Sequence, residues 1–332
     1  MSTPWSIYRK LWSPLPPAPK GSYLAGKNLI ITGANSGVGL EAVKQFAAAK
    51  PAKLILAVRS VEPTEKILDK IKQAHPGLDA EVMHVDLTSL ESVKQFTQEV
   101  EKKLGRVDVL FNNAGMNPNF EVKPMVATVD GYERTFQVNI LAPLMTTLYL
   151  LPALRRSKSP QVLFTGSDIV FFGDETAIKN AFDQGVPFVK AFNDPDTYDN
   201  PNRYAHSKLL LQMMTRALMP ALPDMVVINV NPGLARTNLG REFDLSFSFA
   251  LIRMIIWFMV NSRSAAKAAR SLTTAVAYGK ESEDYWSECV PTPVENTYLN
   301  SGKGIRATRL FFQEMLAEAE KISPGITKTL EL

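Results

Sequence analysis

From Asn28 onward, short apolar runs alternate with stretches of helical length, and this alternation constrains the fold more than any other feature. The runs Asn28–Thr32, Leu54–Val58, Glu81–Val85, Val107–Phe111, Gln161–Thr165 and Val226–Val230 read as strands. Each leads into a helix-length segment, among them Gly39–Ala49, Ser89–Leu104 and Arg203–Met219. A strand that is apolar on both faces needs cover on both sides, and parallel neighbours need crossover helices to supply it. The pattern therefore predicts an α/β chain, a doubly wound parallel sheet with helices on both faces. A last strand is expected near Thr297–Leu299. Residues 1–20 read as an extension, followed by one domain over 21–332. Two segments break its rhythm: a polar insertion at 168–202 and an almost wholly apolar stretch at 245–260.

The first strand runs into Thr32-Gly33-Ala34-Asn35-Ser36-Gly37-Val38-Gly39. Glycines in a strand-to-helix turn let backbone approach a phosphate closely, and the helix N-terminus behind them favours negative charge. Gly33, Asn35, Ser36, Gly37, Val38 and Gly39 are the candidate cradle.

This G-x-x-x-G-x-G spacing resembles the short-chain dehydrogenase/reductase family, which implies a single Rossmann-type sheet and a nicotinamide cofactor. In that family the end of the second strand selects the cofactor. Here Arg59 stands there with no carboxylate beside it, and a guanidinium binds a 2′-phosphate bidentately. The resemblance thus implies NADP(H). It also implies an adenine contact at Asp86 and Leu87, and a cleft lining at Asn113, Ala114 and Gly115 from Asn112-Asn113-Ala114-Gly115. Pro232 and Gly233, with Thr237, match the motif that holds the nicotinamide carboxamide and phosphate. Such positions all fall at C-terminal strand ends, where an open parallel sheet binds ligands.

Tyr204 and Lys208 lie four positions apart in Tyr204-Ala205-His206-Ser207-Lys208 and share a helix face. A phenol titrates at about 10, and a neighbouring ammonium favours its phenolate. The pair forms a tunable acid and base. By resemblance, Lys208 also binds the ribose, Ser167 polarises a substrate carbonyl, and Asn139 orders a water that relays protons to Lys208. His206 turns about 200° away from Tyr204 on an ideal helix and is expected outside the chemistry. Asp168 reads as a turn residue. Ser167 and Tyr204 are 37 positions apart, a longer gap than compact members have. The approach resembles the branch with retinol dehydrogenases, carbonyl reductases and protochlorophyllide reductases, and the proline arm resembles that of reductases of fungal specialised metabolism.

Composition narrows the rest. Charged residues make up 21% with a net charge of +4, interspersed rather than clustered, which argues against a nucleic-acid partner. A single cysteine, Cys289, and three scattered histidines offer no metal cluster and point to a reducing, cytoplasmic setting. The leader reads as a short amphipathic piece before Pro14, Pro16, Pro17 and Pro19. These prolines stiffen the arm that follows; the default is a disordered leader, and the alternative is a membrane-surface or partner contact through Trp5, Tyr8, Leu11 and Trp12. The segment 245–260 is interrupted by Arg253 and falls short of the roughly 20 residues of a membrane span. It reads as an apolar lid over the substrate, with peripheral membrane attachment or burial in an oligomer left open. Phe171, Phe172, Phe188 and Phe192 are expected to add an aromatic wall.

Together these features predict NADPH-dependent hydride transfer to the carbonyl of a bulky, largely apolar small molecule. Two other readings stay open: reduction of an activated C=C or C=N bond, with or without cyclisation, and a non-catalytic NADP(H)-binding scaffold or sensor. Oligomeric state is open.

Overall fold

The computed structural model describes residues 13–118, 124–171, 173–236 and 261–330. Thr237, Phe172, the stretch 245–260 and the leader residues Trp5, Tyr8, Leu11 and Trp12 lie outside them.

The described chain begins with β1 (Asn28–Thr32), α1 (Gly37–Ala48), β2 (Lys53–Val58), α2 (Val61–Ala74), β3 (Ala80–His84), α3 (Leu90–Leu104) and β4 (Val109–Asn112). A long helix, α4 (Arg134–Arg155), precedes β5 (Gln161–Thr165). Helices α5 (Thr176–Gln184), α6 (Phe188–Ala191) and α7 (Asn200–Ala221) lead to β6 (Val226–Val230). The short strands β7 (Ala235–Arg236) and β8 (Arg263–Ser264) pair with each other. Helix α8 (Ala265–Tyr278), β9 (Glu283–Ser287), β10 (Val290–Pro291) and α9 (Gly302–Ile322) complete the order.

Eight strands form one sheet in the order β10-β9-β6-β5-β4-β1-β2-β3. All neighbours are parallel except β10, which runs antiparallel to β9. The direction of winding reverses between β1 and β4, so a crevice opens outside their C-terminal ends. Along β1, Ile30 belongs to one core and its neighbours Leu29 and Ile31 to the other, all fully buried. That double burial is the physical content of the apolar run. Leu209, Met213, Phe311 and Leu148 on α7, α9 and α4 fill the first core; Val43, Phe46, Leu68 and Leu272 on α1, α2 and α8 fill the second.

Three expectations are corrected. Thr297–Leu299 is a turn, in which Leu299 N–H donates to Asn296 Oδ1 at 2.8 Å and Ser301 caps α9 three residues before Gly304. The seventh parallel strand is β9 instead, hidden in sequence by its charged start, Glu283-Asp284. In the insertion, Phe188 meets Phe311 edge-on at 5.6 Å and Phe192 meets His206 edge-on at 5.6 Å, both buried. They fasten the insertion to α9 and α7 rather than lining a cleft. Arg203, buried as well, sits over the rings of Tyr198 and Phe192 and donates to the Phe192 carbonyl at 3.2 Å. Finally, residues 13–20 are not a loose arm. Prolines offer no N–H, so the carbonyls of this stretch, the prolines' own included, are the handles. Arg270 on α8 donates to Leu15 O and Pro16 O at 3.3 and 3.2 Å, and Arg263 to Ser13 O at 3.4 Å.

Candidate active site

The glycine turn is built for close approach of backbone. Gly33 adopts φ 66°, and a Cβ there would stand 2.8 Å from Ala114 Cα. A Cβ on Gly39 would collide with the Gly33 carbonyl and Asn113 Nδ2. No side chain fits either position, so the turn can only be glycine. Asn113 fastens it: its Nδ2 donates to Thr32 O at 2.8 Å, while Asn113 N and Ala114 N both donate to Thr32 Oγ1. Ser36 caps α1 without spending its side chain on the cap. The cradle, its free hydroxyl and the helix N-terminus fit an anionic pyrophosphate. Gly33 N–H also donates to Ala57 O at 2.9 Å, which ties the cradle to the end of β2 where Arg59 stands exposed.

Asp86 follows β3 and organises its own turn, accepting from Thr88 N–H and Oγ1 at 2.9 and 2.7 Å. Leu87 is buried beside it and its carbonyl accepts from Gln137 Nε2. On the far side of the crevice Gly233, at φ 74°, donates its N–H to Asn231 Oδ1 after Pro232. Arg263, paired with Glu288 at 2.8 Å, packs against Gly233.

Asn139 lies in α4 where five residues, Gln137–Leu141, adopt π-helical turns. Pro143, four residues on, has no N–H to return to the Asn139 carbonyl, so the regular ladder fails at this point. Single π turns of this kind concentrate at functional sites. The Asn139 amide exchanges hydrogen bonds with Met116, donating to its carbonyl and accepting from its N–H, and donates to Ser207 Oγ at 2.9 Å. A Cβ on Gly115 would stand 3.3 Å from Asn139 Oδ1 and 3.6 Å from Lys208 Nζ, so both side chains border this glycine.

Helix α7 begins with Asp199, which accepts from Asn202 N–H, and with Pro201 in its first turn. This start fixes the phase of Tyr204. Lys208 is buried and donates to Thr165 O at 2.8 Å, with its ammonium 5.6 Å from the Tyr204 ring centre. Burial lowers Lys208 from its usual range to about 8. Burial likewise raises Tyr204 to about 12, against which a hydrogen bond with Ser167 works in the opposite direction. In the free protein the phenol therefore holds its proton firmly. The geometry is an acid ready to donate, beside a cation that stabilises what is left behind.

The structure thus brings Asn139, Ser167, Tyr204 and Lys208 to the edge that also carries the cradle, Asn113–Gly115 and Gly233. Thr237 lies outside the described residues. His206 points elsewhere, against Phe192, and burial lowers its pKa to about 4. Sequence reading missed Ser207, which links Asn139 to the Tyr204 carbonyl, to which it donates at 2.8 Å. It also missed Thr165, whose carbonyl holds Lys208 and whose hydroxyl donates to Asn113 Oδ1. Each lies within two residues of a recognised position, which was the available signal.

Residues 27–177 match the family model described as short chain dehydrogenase. A short chain dehydrogenase of Gibberella zeae is 32% identical over 97% of this chain and 93% of that relative. A short chain dehydrogenase/reductase of a Cryptosporiopsis species is 29% identical over 97% and 98%. Among solved structures, an NADPH-bound carbonyl reductase from chicken fatty liver superposes with a TM-score of 0.53, at 16% identity, over 79% of this chain and 96% of that one. The chain belongs to the short-chain dehydrogenase/reductase family and is an oxidoreductase of that family.

Proposed function

We propose that this protein is an NADPH-dependent reductase that delivers hydride to the carbonyl carbon of a bulky, largely apolar ketone or aldehyde, and runs the reverse alcohol oxidation on the same residues. One observation carries the reading: Lys208 is pinned under Thr165 beside the Tyr204 ring, and Ser167 draws the Tyr204 pKa down against the effect of burial. Ser167 holds the substrate oxygen, and Tyr204 donates its phenolic proton to that oxygen. The charge left on the phenolate is balanced by the Lys208 ammonium. A positioned acid of this kind contributes about 10²–10⁴-fold to rate. NADPH, when bound, supplies the hydride.

Gly33, Asn35, Ser36, Gly37, Val38, Gly39 and Asn113–Gly115 are the residues that would hold the cofactor. The preference for NADPH rests on Arg59, exposed at the end of β2, and accords with the NADPH carried by the carbonyl reductase similar in fold. The apolar character of the substrate rests on Ile169 and Phe171 after Ser167 and on the composition of 245–260.

NADPH consumption with a panel of apolar carbonyl compounds tests this. Tyr204→Phe is expected to lower kcat at least 100-fold with NADPH binding intact; unchanged turnover would remove the mechanism. Arg59→Glu is expected to weaken NADPH far more than NADH, and an equal loss of both would refute the 2′-phosphate contact.

A further inference from the structure

Strand β9 carries an irregularity beside the site. Ile228 of β6 pairs with Glu283 and Val230 with Trp286, so a two-residue step on β6 faces a three-residue step on β9. One extra residue is a β-bulge, and it interrupts the alternation of faces along a strand. Asp284 accordingly meets α7, where its carboxylate accepts from Gln212 Nε2 at 2.5 Å and Arg216 Nε at 3.1 Å. Tyr285, the next residue, belongs to the core on that same side of the sheet, whereas Trp286 belongs to the opposite one. In a regular strand Asp284 and Tyr285 would point apart.

The bulge places Tyr285 beneath the turn that follows Ser167. Its side chain is fully buried, its hydroxyl donates to Asp168 Oδ1 at 3.0 Å, and its ring stands edge-on to Phe171 at 5.3 Å. Asp168 and Phe171 are the two ends of a single 3₁₀ turn. Within that turn Ile169 N–H donates to Ser167 Oγ at 3.4 Å. Tyr285 therefore touches both ends of the turn whose backbone holds the serine hydroxyl, and that serine acts on the acidity of Tyr204.

We propose that Tyr285 is a positioning residue: through Asp168 it fixes the turn that sets Ser167 Oγ against the Tyr204 phenol. The proposal rests on Ser167 and Tyr204 being the pair that meets the substrate oxygen. Without the Tyr285 hydroxyl, Asp168 loses its buried partner, and the Asp168 end of the turn is left to its backbone while Asn296 Nδ2 still holds the Val170 carbonyl at 2.7 Å. Displacements of about 1 Å at a reacting group cost up to 100-fold in rate, and a partial loosening is expected to cost about tenfold. The phosphate cradle, built on β1, α1 and β4, is untouched by the change.

A double-mutant cycle read by kcat, by KM for the carbonyl substrate and by NADPH fluorescence titration decides the matter. Tyr285→Phe and Asp168→Ala should each lower kcat about tenfold with NADPH affinity within twofold of wild type, which also reports that the variant is folded. Asp168→Asn keeps an oxygen acceptor and should recover most of the loss. In a Ser167→Ala background, Tyr285→Phe should cost nothing further. Wild-type kcat in Tyr285→Phe would overturn the proposal, as would a full tenfold loss persisting without the serine hydroxyl. Should Tyr285→Phe fail to fold, the Asp168→Ala and Asp168→Asn pair carries the same cycle. Tyr204→Phe in the same assay separates two failures. If it retains turnover, the site reading itself falls; if it is inactive while Tyr285→Phe is fully active, only the positioning role falls.

Discussion

Lys208 shows what the site costs the fold. The residue is only 4% exposed and its ammonium, bonded to one carbonyl, is held in a place that disfavours its charge, so its pKa falls from 10.5 to about 8. Every tenfold loss of proton affinity corresponds to about 1.4 kcal/mol. Lys208→Met, after allowance for the lost hydrogen bond to Thr165, is therefore expected to stabilise the cofactor-free protein by about 2 kcal/mol at pH 7 while abolishing turnover. A thermal melt checks the first half and NADPH consumption the second. His206 acts in a different pH range. Its imidazole accepts a proton at about 6.5 in the unfolded chain and only at about 4 in the folded one. Between those values the unfolded state binds more protons, so stability falls as pH drops through this window, by up to about 3 kcal/mol. His206→Phe should flatten that part of the stability curve in urea titrations; an unchanged slope would contradict the assignment. Tyr204 and Lys208 were legible in the sequence because their spacing is local, set by one helix face. Tyr285 and Ser207 were not, since their roles depend on contacts from another strand or helix.

At the scale of elements, the apolar runs announced six of the seven parallel strands, because double-sided burial leaves a continuous apolar signature. β9 escaped for the reverse reason. Its bulge and its Glu283-Asp284 start suit a strand whose polar residues meet α7, and no period of two survives to be read. The insertion reads only as a polar break in the rhythm, from its Asp, Asn, Gly and Pro content. It folds into α5 and α6 because Phe188, Phe192 and Ile178 are buried against the body. The cradle, by contrast, is encoded directly. Gly39→Ala would force a Cβ into the Gly33 carbonyl and Asn113 amide. It is expected to destabilise by about 1–3 kcal/mol, the range for overpacking, and to weaken NADPH binding at least tenfold. Isothermal titration against the wild type checks it, and normal affinity would show that the turn relaxes without consequence.

Across the whole molecule, α4 and α7 are covered within one chain. α4 is the only helix among the described residues long and apolar enough to cross a membrane, yet 89% of its most apolar window is buried inside the protein. A helix that is apolar all round must be enclosed, and α4 and α7 are enclosed by neighbouring helices and the sheet. Neither leaves a broad apolar face for a second copy, so we expect a monomer of 36.8 kDa in solution, measured by light scattering. A stable dimer would mean that another surface pairs.

In the proposed reaction, hydride reaches a carbonyl carbon while Tyr204 protonates its oxygen. Turnover of an apolar ketone with NADPH deuterated at the transferring position of nicotinamide C4 tests both halves, when wild type and Tyr204→Phe are compared. Wild type should place deuterium on the new carbinol carbon, and Tyr204→Phe should give no labelled product. Deuterium on the β-carbon of an unsaturated ketone whose carbonyl stays intact, or equal labelling by the two proteins, would contradict that reaction.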